Sequence, residues 1–207
     1  MRVISGAARG RRLKAPKGRH VRPTADRVKE SVFDLLGLQW EGCRVMDLFA
    51  GSGALGIEAL SRGAKLALFV EADRSCYWVL MGNLKSCGME GRALVIRAEA
   101  VRFLRTRRRF PDFHVIFLDP PYERGLAWPC VMGVGRGGWL ASGGRLVVEH
   151  SCRETIPDRG AGLALLDRRS YGSSQVSLYG WGDEERGGRT MCQVEGLEPR
   201  VRAEAER

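Results

Sequence analysis

Cys43-Arg44-Val45-Met46-Asp47-Leu48-Phe49-Ala50-Gly51-Ser52-Gly53-Ala54-Leu55-Gly56 decides how this chain folds. Its first half, Cys43–Phe49, reads as a buried strand, a short apolar run bounded by turn residues. Its second half spaces three glycines as Gly51-x-Gly53-x-x-Gly56 and opens a helix over 54–62. Strand, glycine turn and helix in that order make a nucleotide-type site, because glycine turns tightly and lets a ligand approach the main chain. Glu71 stands twenty residues beyond Gly51, at the end of the next strand, where a carboxylate can accept from both hydroxyls of a ribose. Dinucleotide-binding enzymes share these two features. Asp47 shifts the balance. A carboxylate four residues before Gly51 suits the cationic amino acid end of S-adenosylmethionine, directly or through water, and is unhelpful beside a pyrophosphate. The expected cofactor contacts are Asp47, Phe49, Gly51, Gly53 and Glu71, with Glu99 and Ala100 at the adenine edge.

Outward from this unit the pattern repeats. Strands are expected at 66–71, 93–97, 113–118 and 145–149, with helices at 74–86 and 99–108 between them. Repeated βα units call for a parallel sheet covered on both faces by helices, with ligands outside the carboxyl ends of the strands. Leu163–Arg168 and Gln175–Trp181 lack a helix-length connection, so they are expected to pair as an antiparallel hairpin at one edge. Segment 126–138 is only a weak helix candidate, because Gly133, Gly135, Gly137 and Gly138 all disfavour one. Three regions result: a basic arm or hairpin at 1–25, an α/β domain at 26–181 led by a helix over 26–37, and a tail at 182–207. The tail holds seven acids, five arginines and few large apolar side chains, and disorder is expected there.

The apolar run 113–118 ends in Asp119-Pro120-Pro121-Tyr122. An exocyclic amine of a nucleobase is a poor nucleophile, because its lone pair is delocalised into the ring. A catalyst should therefore accept hydrogen bonds from its N–H groups. The Asp119 carboxylate and Pro120 carbonyl can both accept, and the prolines hold φ and remove competing donors. Tyr122 can stack on the base. The expected reaction is methyl transfer to such an amine, adenine, cytosine and guanine being equally suited. The proton leaves to Asp119 or to water.

Formal net charge is +10, and residues 1–25 carry eight Lys or Arg and no acid. That concentration fits a polyanion better than a membrane surface, since the cations alternate with Gly and Pro instead of lining a helix face. Arg2, Arg9, Arg11, Arg12, Lys14, Arg22 and Arg27 are the expected nucleic-acid contacts. The cluster Arg102, Arg105, Arg107, Arg108 and Arg109 reads equally as an extension of that surface or as a solvated helix end. Six scattered cysteines with no C-x-x-C pair point to reduced thiols and no metal site. No signal peptide or spanning segment is read, so a cytoplasmic location is expected. A monomer is the separate expectation for its assembly.

With these residues in hand, the chain resembles the bacterial methyltransferases that modify guanine N2 in small-subunit (16S) ribosomal RNA. The resemblance covers about 2–181. It rests on Arg2-x-Ile4-x-Gly6-x-x-Arg9-Gly10-Arg11, Arg22-Pro23-Thr24-x-Asp26-Arg27-Val28-Lys29-Glu30, Asp47–Arg62, Asp119–Tyr122, Gly138-Trp139-Leu140 and Gln175-Val176. It implies a seven-stranded Rossmann-like sheet of the class I methyltransferase type with one reversed strand. It further implies S-adenosylmethionine as donor, assembled small subunits as substrate, and an arm that contacts RNA. Glu99 stands where many relatives carry Asp or Asn. DNA amino-methyltransferases share the tetrapeptide but usually add a recognition domain, for which the 47 residues between Glu71 and Asp119 leave no room. A protein-glutamine methyltransferase would more often carry Asn at 119. A non-enzymatic RNA-binding module leaves Asp47, Glu71 and Asp119 unused, and a nicotinamide oxidoreductase leaves the tetrapeptide and the charge unexplained.

Overall fold

A computed structural model describes residues 1–16, 23–106, 110–122 and 124–182. Arg22, Arg107, Arg108, Arg109 and the tail from 183 lie outside the described residues. The strands are β1 (Arg44–Asp47), β2 (Leu66–Val70), β3 (Ala93–Ile96), β4 (Phe113–Leu118), β5 (Leu140–Ser151), β6 (Arg159–Gly160), β7 (Leu163–Tyr171) and β8 (Ser174–Trp181). They form one sheet in the order β3-β2-β1-β4-β5-β8-β7-β6. β1 to β5 are parallel, and β8 runs antiparallel between β5 and β7.

The sheet thus has the expected reversed strand and one strand more than the expected seven. The addition is the two-residue β6, folded back on β7 by Ala161-Gly162, both at positive φ (50° and 79°). Two such residues in a two-residue turn match the twist of a hairpin.

The helices are α1 (Pro23–Leu36), α2 (Ala54–Ser61), α3 (Arg74–Cys87), α4 (Ala100–Leu104) and α5 (Ala127–Gly137). α1 begins at Pro23, where a missing N–H costs nothing, three residues ahead of the expected start. α4 is half its expected length. The amides of Arg105 and Thr106 bond carbonyls three residues back, which tightens and ends the last turn. The glycine-rich stretch, expected to be a poor helix, is a regular one. Tertiary packing overrides propensity there: Gly133 sits against Leu104, Gly135 against the Ala161 carbonyl and Gly137 against the Trp139 indole. A side chain at 135 or 137 would overlap these neighbours.

Alternate residues of each strand feed opposite faces. Val45, Val115 and Phe117 join Phe33, Ile57, Leu60 and Leu80 on one face. Met46, Ile116 and Leu118 join Phe103, Val131 and Trp139 on the other. Residues 1–14 double back into a hairpin, with Val3 N–H donating to the Arg11 carbonyl (2.9 Å) and Leu13 N–H to that of Met1 (3.0 Å). The hairpin lies along α2, and Val3, Ala8 and Leu13 are buried in the first core.

Glu58, fully buried in α2, clamps it. Its carboxylate accepts from the amides of Ile4 (2.8 Å) and Ser5 (2.9 Å) and pairs with Lys29 (3.1 Å) and Arg62 (3.0 Å). Lys29, itself buried, also donates to the Arg2 carbonyl at 2.6 Å. Removing one partner of a buried ion pair strands the other charge. Glu58→Gln is therefore expected to cost about 3 kcal/mol, read as a shift in urea midpoint, and to expose the hairpin to proteolysis. A midpoint within 0.5 kcal/mol of the parent would show that the clamp contributes nothing.

Candidate active site

β1 and β4 are neighbours in parallel register, with Asp47 opposite Phe117 and the Leu48 amide donating to the Phe117 carbonyl at 3.0 Å. The glycine turn after β1 and the Asp119 loop after β4 therefore leave the sheet side by side. β2 and β5 add Glu71 and Glu149 to the same edge: Phe69 pairs with Asp47, and Val148 with Leu118, just before Asp119. One carboxyl edge collects Asp47, Glu71, Asp119 and Glu149.

Asp47 is buried, and its Oδ2 accepts from the Gly56 amide at 3.2 Å. Burial is the main cause that pushes its pKa up to about 7; the Gly56 and Phe49 amides pull it down and Glu71 pushes it up. Phe49 is half-buried in the turn that follows. Glu71, also buried, braces the loop: Oε2 accepts from Gly51 N–H at 2.7 Å and Oε1 from Asp73 N–H at 2.8 Å. Each oxygen keeps a second lone pair. Gly51 and Gly53 have φ of 53° and 81°, and a side chain at Gly53 would strike Leu80 and Ile57. Glu99 is exposed at the N-cap of α4, and Ala100 is buried behind it. The residues present fit S-adenosylmethionine. A buried carboxylate at the end of β1 is suited to a cationic group, and the braced Glu71 carboxylate at the end of β2 is suited to accept from a pair of hydroxyls.

Asp119 is exposed, Pro120 buried and Pro121 half-buried. Tyr122 donates from its hydroxyl to Glu149 Oε1 (2.8 Å) and shares a 2.7 Å hydrogen bond with Ser174 Oγ. Burial above all pushes its phenol far up, so the ring is neutral at every working pH. Sequence reasoning missed Glu149 and Ser174, which anchor this ring from β5 and β8. No local signal marks them.

Arg2, Arg9, Arg11, Arg12 and Lys14 are exposed on the hairpin and Arg27 on α1. Asn83 of α3, buried and also missed, joins hairpin to glycine turn. It accepts from Lys14 N–H (2.9 Å) and donates to the carbonyls of Lys14 (2.9 Å) and Ser52 (2.8 Å). Glu58 had a signal: it is the one charge in the otherwise apolar helix Ala54–Ser61. Among the described residues no His, Cys, Asp and Glu group could hold a metal, and no helix is long and apolar enough to cross a membrane.

The model of the family described as "Conserved hypothetical protein 95" matches residues 1–180. YlbH of Bacillus subtilis is 40% identical over 180 residues, covering 86% of this chain and 98% of that protein. Ribosomal RNA small subunit methyltransferase D of Escherichia coli is 36% identical over 179 residues, covering 86% and 89%. The solved structure of yhhF from Escherichia coli is 34% identical, covers 86% of this chain and 96% of its own, and superposes with a TM-score of 0.77.

The Asp47 pKa of about 7 has a consequence for the ligand-free protein. A folded pKa above the unfolded one means that the native state binds the extra proton. Stability is then lost as pH rises from about 4 to about 7. Asp47→Asn keeps an acceptor for Gly56 and removes that loss. The variant should gain stability over the parent at pH 8, by at most about 4 kcal/mol, and match it near pH 4. Parallel stability–pH curves for the two proteins would refute the burial of a costly carboxylate.

Proposed function

The chain belongs to the Conserved hypothetical protein 95 family, that of ribosomal RNA small subunit methyltransferase D and YlbH, and we propose that it methylates the exocyclic N2 of one guanine in 16S rRNA within the assembled small subunit. It is an S-adenosylmethionine-dependent rRNA methyltransferase with a Rossmann-like fold. One observation carries methyl transfer to an exocyclic amine: the glycine turn and the Asp119 loop open from adjacent parallel strands at one sheet edge. Guanine N2 and the assembled subunit rest on the family resemblance.

When bound, S-adenosylmethionine supplies a methyl group already activated on a sulfonium. The chain's own task is alignment. Asp47 receives the cationic amino acid end and Glu71 the ribose hydroxyls, while Gly51 and Gly53 let the backbone come close. Phe49, Glu99 and Ala100 border the adenine. Asp119 and the Pro120 carbonyl accept from the target amine and turn its lone pair outward. Pro121 stiffens the loop. Tyr122, its hydroxyl tied to Glu149 and Ser174, offers a fixed ring face to a base. The reaction needs no metal, and one copy of the chain carries every group named. Arg2, Arg9, Arg11, Arg12, Lys14, Arg22 and Arg27 bind phosphates. We assign residues 1–25 as this RNA arm, 26–181 as the catalytic domain and 182–207 as a tail outside both.

Tritiated-methyl transfer to small subunits, naked rRNA and duplex DNA, with nucleoside analysis, tests the reading. N2-methylguanosine from subunits is expected; N6-methyladenosine, or label in DNA alone, would overturn it. Asp119→Ala should lower turnover at least a hundredfold while calorimetry finds cofactor affinity intact, and full turnover would remove Asp119 from the site.

Deleting the arm would strip core residues and bare Glu58, so substitution is the cleaner probe. Arg9, Arg11 and Arg12 replaced by Ser should reduce the slope of log affinity against log salt by roughly 0.7 to 0.9 per lost phosphate contact. An unchanged slope would make those cations bystanders.

A further inference from the structure

Trp78 is the most exposed large apolar side chain among the described residues, at 62%. It stands on the outer face of α3, opposite the buried side formed by Cys76, Leu80 and Leu84. A single exposed apolar residue ordinarily requires no explanation. Three features set this one apart.

The first is Gly82, one turn further on. Helical side chains lean toward the N-terminus, so the residue at i+4 is the one that would cover an indole at i. Gly82 leaves that patch bare. A Cβ built there meets nothing within 4 Å, so no packing demand calls for glycine, and a mid-helix glycine costs about 1 kcal/mol against alanine.

The second feature is charge. Arg74 and Lys85 lie on the same exposed stripe, one turn before Trp78 and two turns after it. The fourteen residues of α3 include no acid. The third is continuity with the arm, since Asn83 of this helix holds Lys14 by both its backbone amide and its carbonyl.

A flat aromatic face flanked by cations and left uncovered is how proteins seat an unpaired base next to its phosphates. An apolar protein partner would call for a broad apolar patch. Trp78 instead has beside it the half-buried Tyr77, in a T-shaped ring contact at 5.2 Å, and the half-buried Met81, and the exposed stripe carries Arg74, Ser75, Lys85 and Ser86. We propose that Trp78, flanked by Arg74 and Lys85 and bared by Gly82, is a stacking seat for an unpaired nucleotide of the RNA substrate, outside the catalytic crevice. The seat rests on the RNA-substrate reading above.

Binding of labelled 16S rRNA fragments and of whole small subunits to the full chain tests it, with cofactor affinity and thermal midpoint measured in parallel. Trp78→Ala should weaken RNA binding at least fivefold and Trp78→Phe less than twofold. Gly82→Leu, which lays a side chain over the indole, should weaken binding as Trp78→Ala does. Gly82→Ala should raise the thermal midpoint and leave binding near the parent value. A purely structural Trp78 cannot yield stabilised Gly82 variants that split in this way. Binding within twofold of the parent for both Trp78→Ala and Gly82→Leu would overturn the seat. So would a loss seen with whole subunits but not with naked RNA, which would assign the indole to a ribosomal protein. If the parent methylates rRNA while these variants bind normally, the seat fails alone. If it binds RNA through Trp78 but methylates none, the activity fails and the seat stands.

Discussion

The Glu58 carboxylate, fully enclosed, holds four donors: two amides of the N-terminal hairpin, the Lys29 ammonium and the Arg62 guanidinium. Burying one carboxylate with two cations is favourable only when the lone pairs are satisfied, and here each oxygen accepts from one amide and one cation. The clamp joins the hairpin, α1 and α2 through a single group. α2 begins at the glycine turn, so the same carboxylate sets where the hairpin lies relative to that turn. Ser61 completes the seam: its hydroxyl accepts from Ala8 N–H at 2.9 Å and its carbonyl from Ala7 N–H at 2.8 Å.

Charge is segregated. Asp47, Glu71, Asp119 and Glu149 gather at the carboxyl edge of the sheet, and exposed arginines line the outside of the hairpin. An acidic crevice favours a cationic methyl donor, while a basic exterior draws in a polyanion. These demands conflict in one place, and the fold meets them on different elements, the carboxyl edge of the sheet and the outside of the hairpin. Asn83 links the two, touching Lys14 on one side and the Ser52 carbonyl of the glycine turn on the other.

Much of this was legible in residue order. The run Cys43–Gly56 specifies strand, turn and helix, because glycine spacing and an abrupt change of periodicity leave few alternatives. Asp119 at the end of an apolar run could be placed at a strand's carboxyl end for the same reason. One reading misjudged local structure and one left burial unread, and both turn on contacts remote in sequence. The Ala127–Gly137 helix forms despite its glycines, because Leu104, Ala161 and Trp139 require close approach. The hairpin, which composition presents as a charged arm, sinks Val3, Ala8 and Leu13 into the core.

The chain's own order of residues thus determined the βα repeat, the chemistry available at each strand end and the concentration of positive charge near the N-terminus, all properties of neighbouring positions. Tertiary structure alone decided that Glu58 is a clamp and not a surface acid, that Glu149 and Ser174 hold Tyr122, and that Asn83 ties Lys14 to Ser52. Each of these depends on burial and on partners far along the chain, and a side chain's environment is a property of the packed whole.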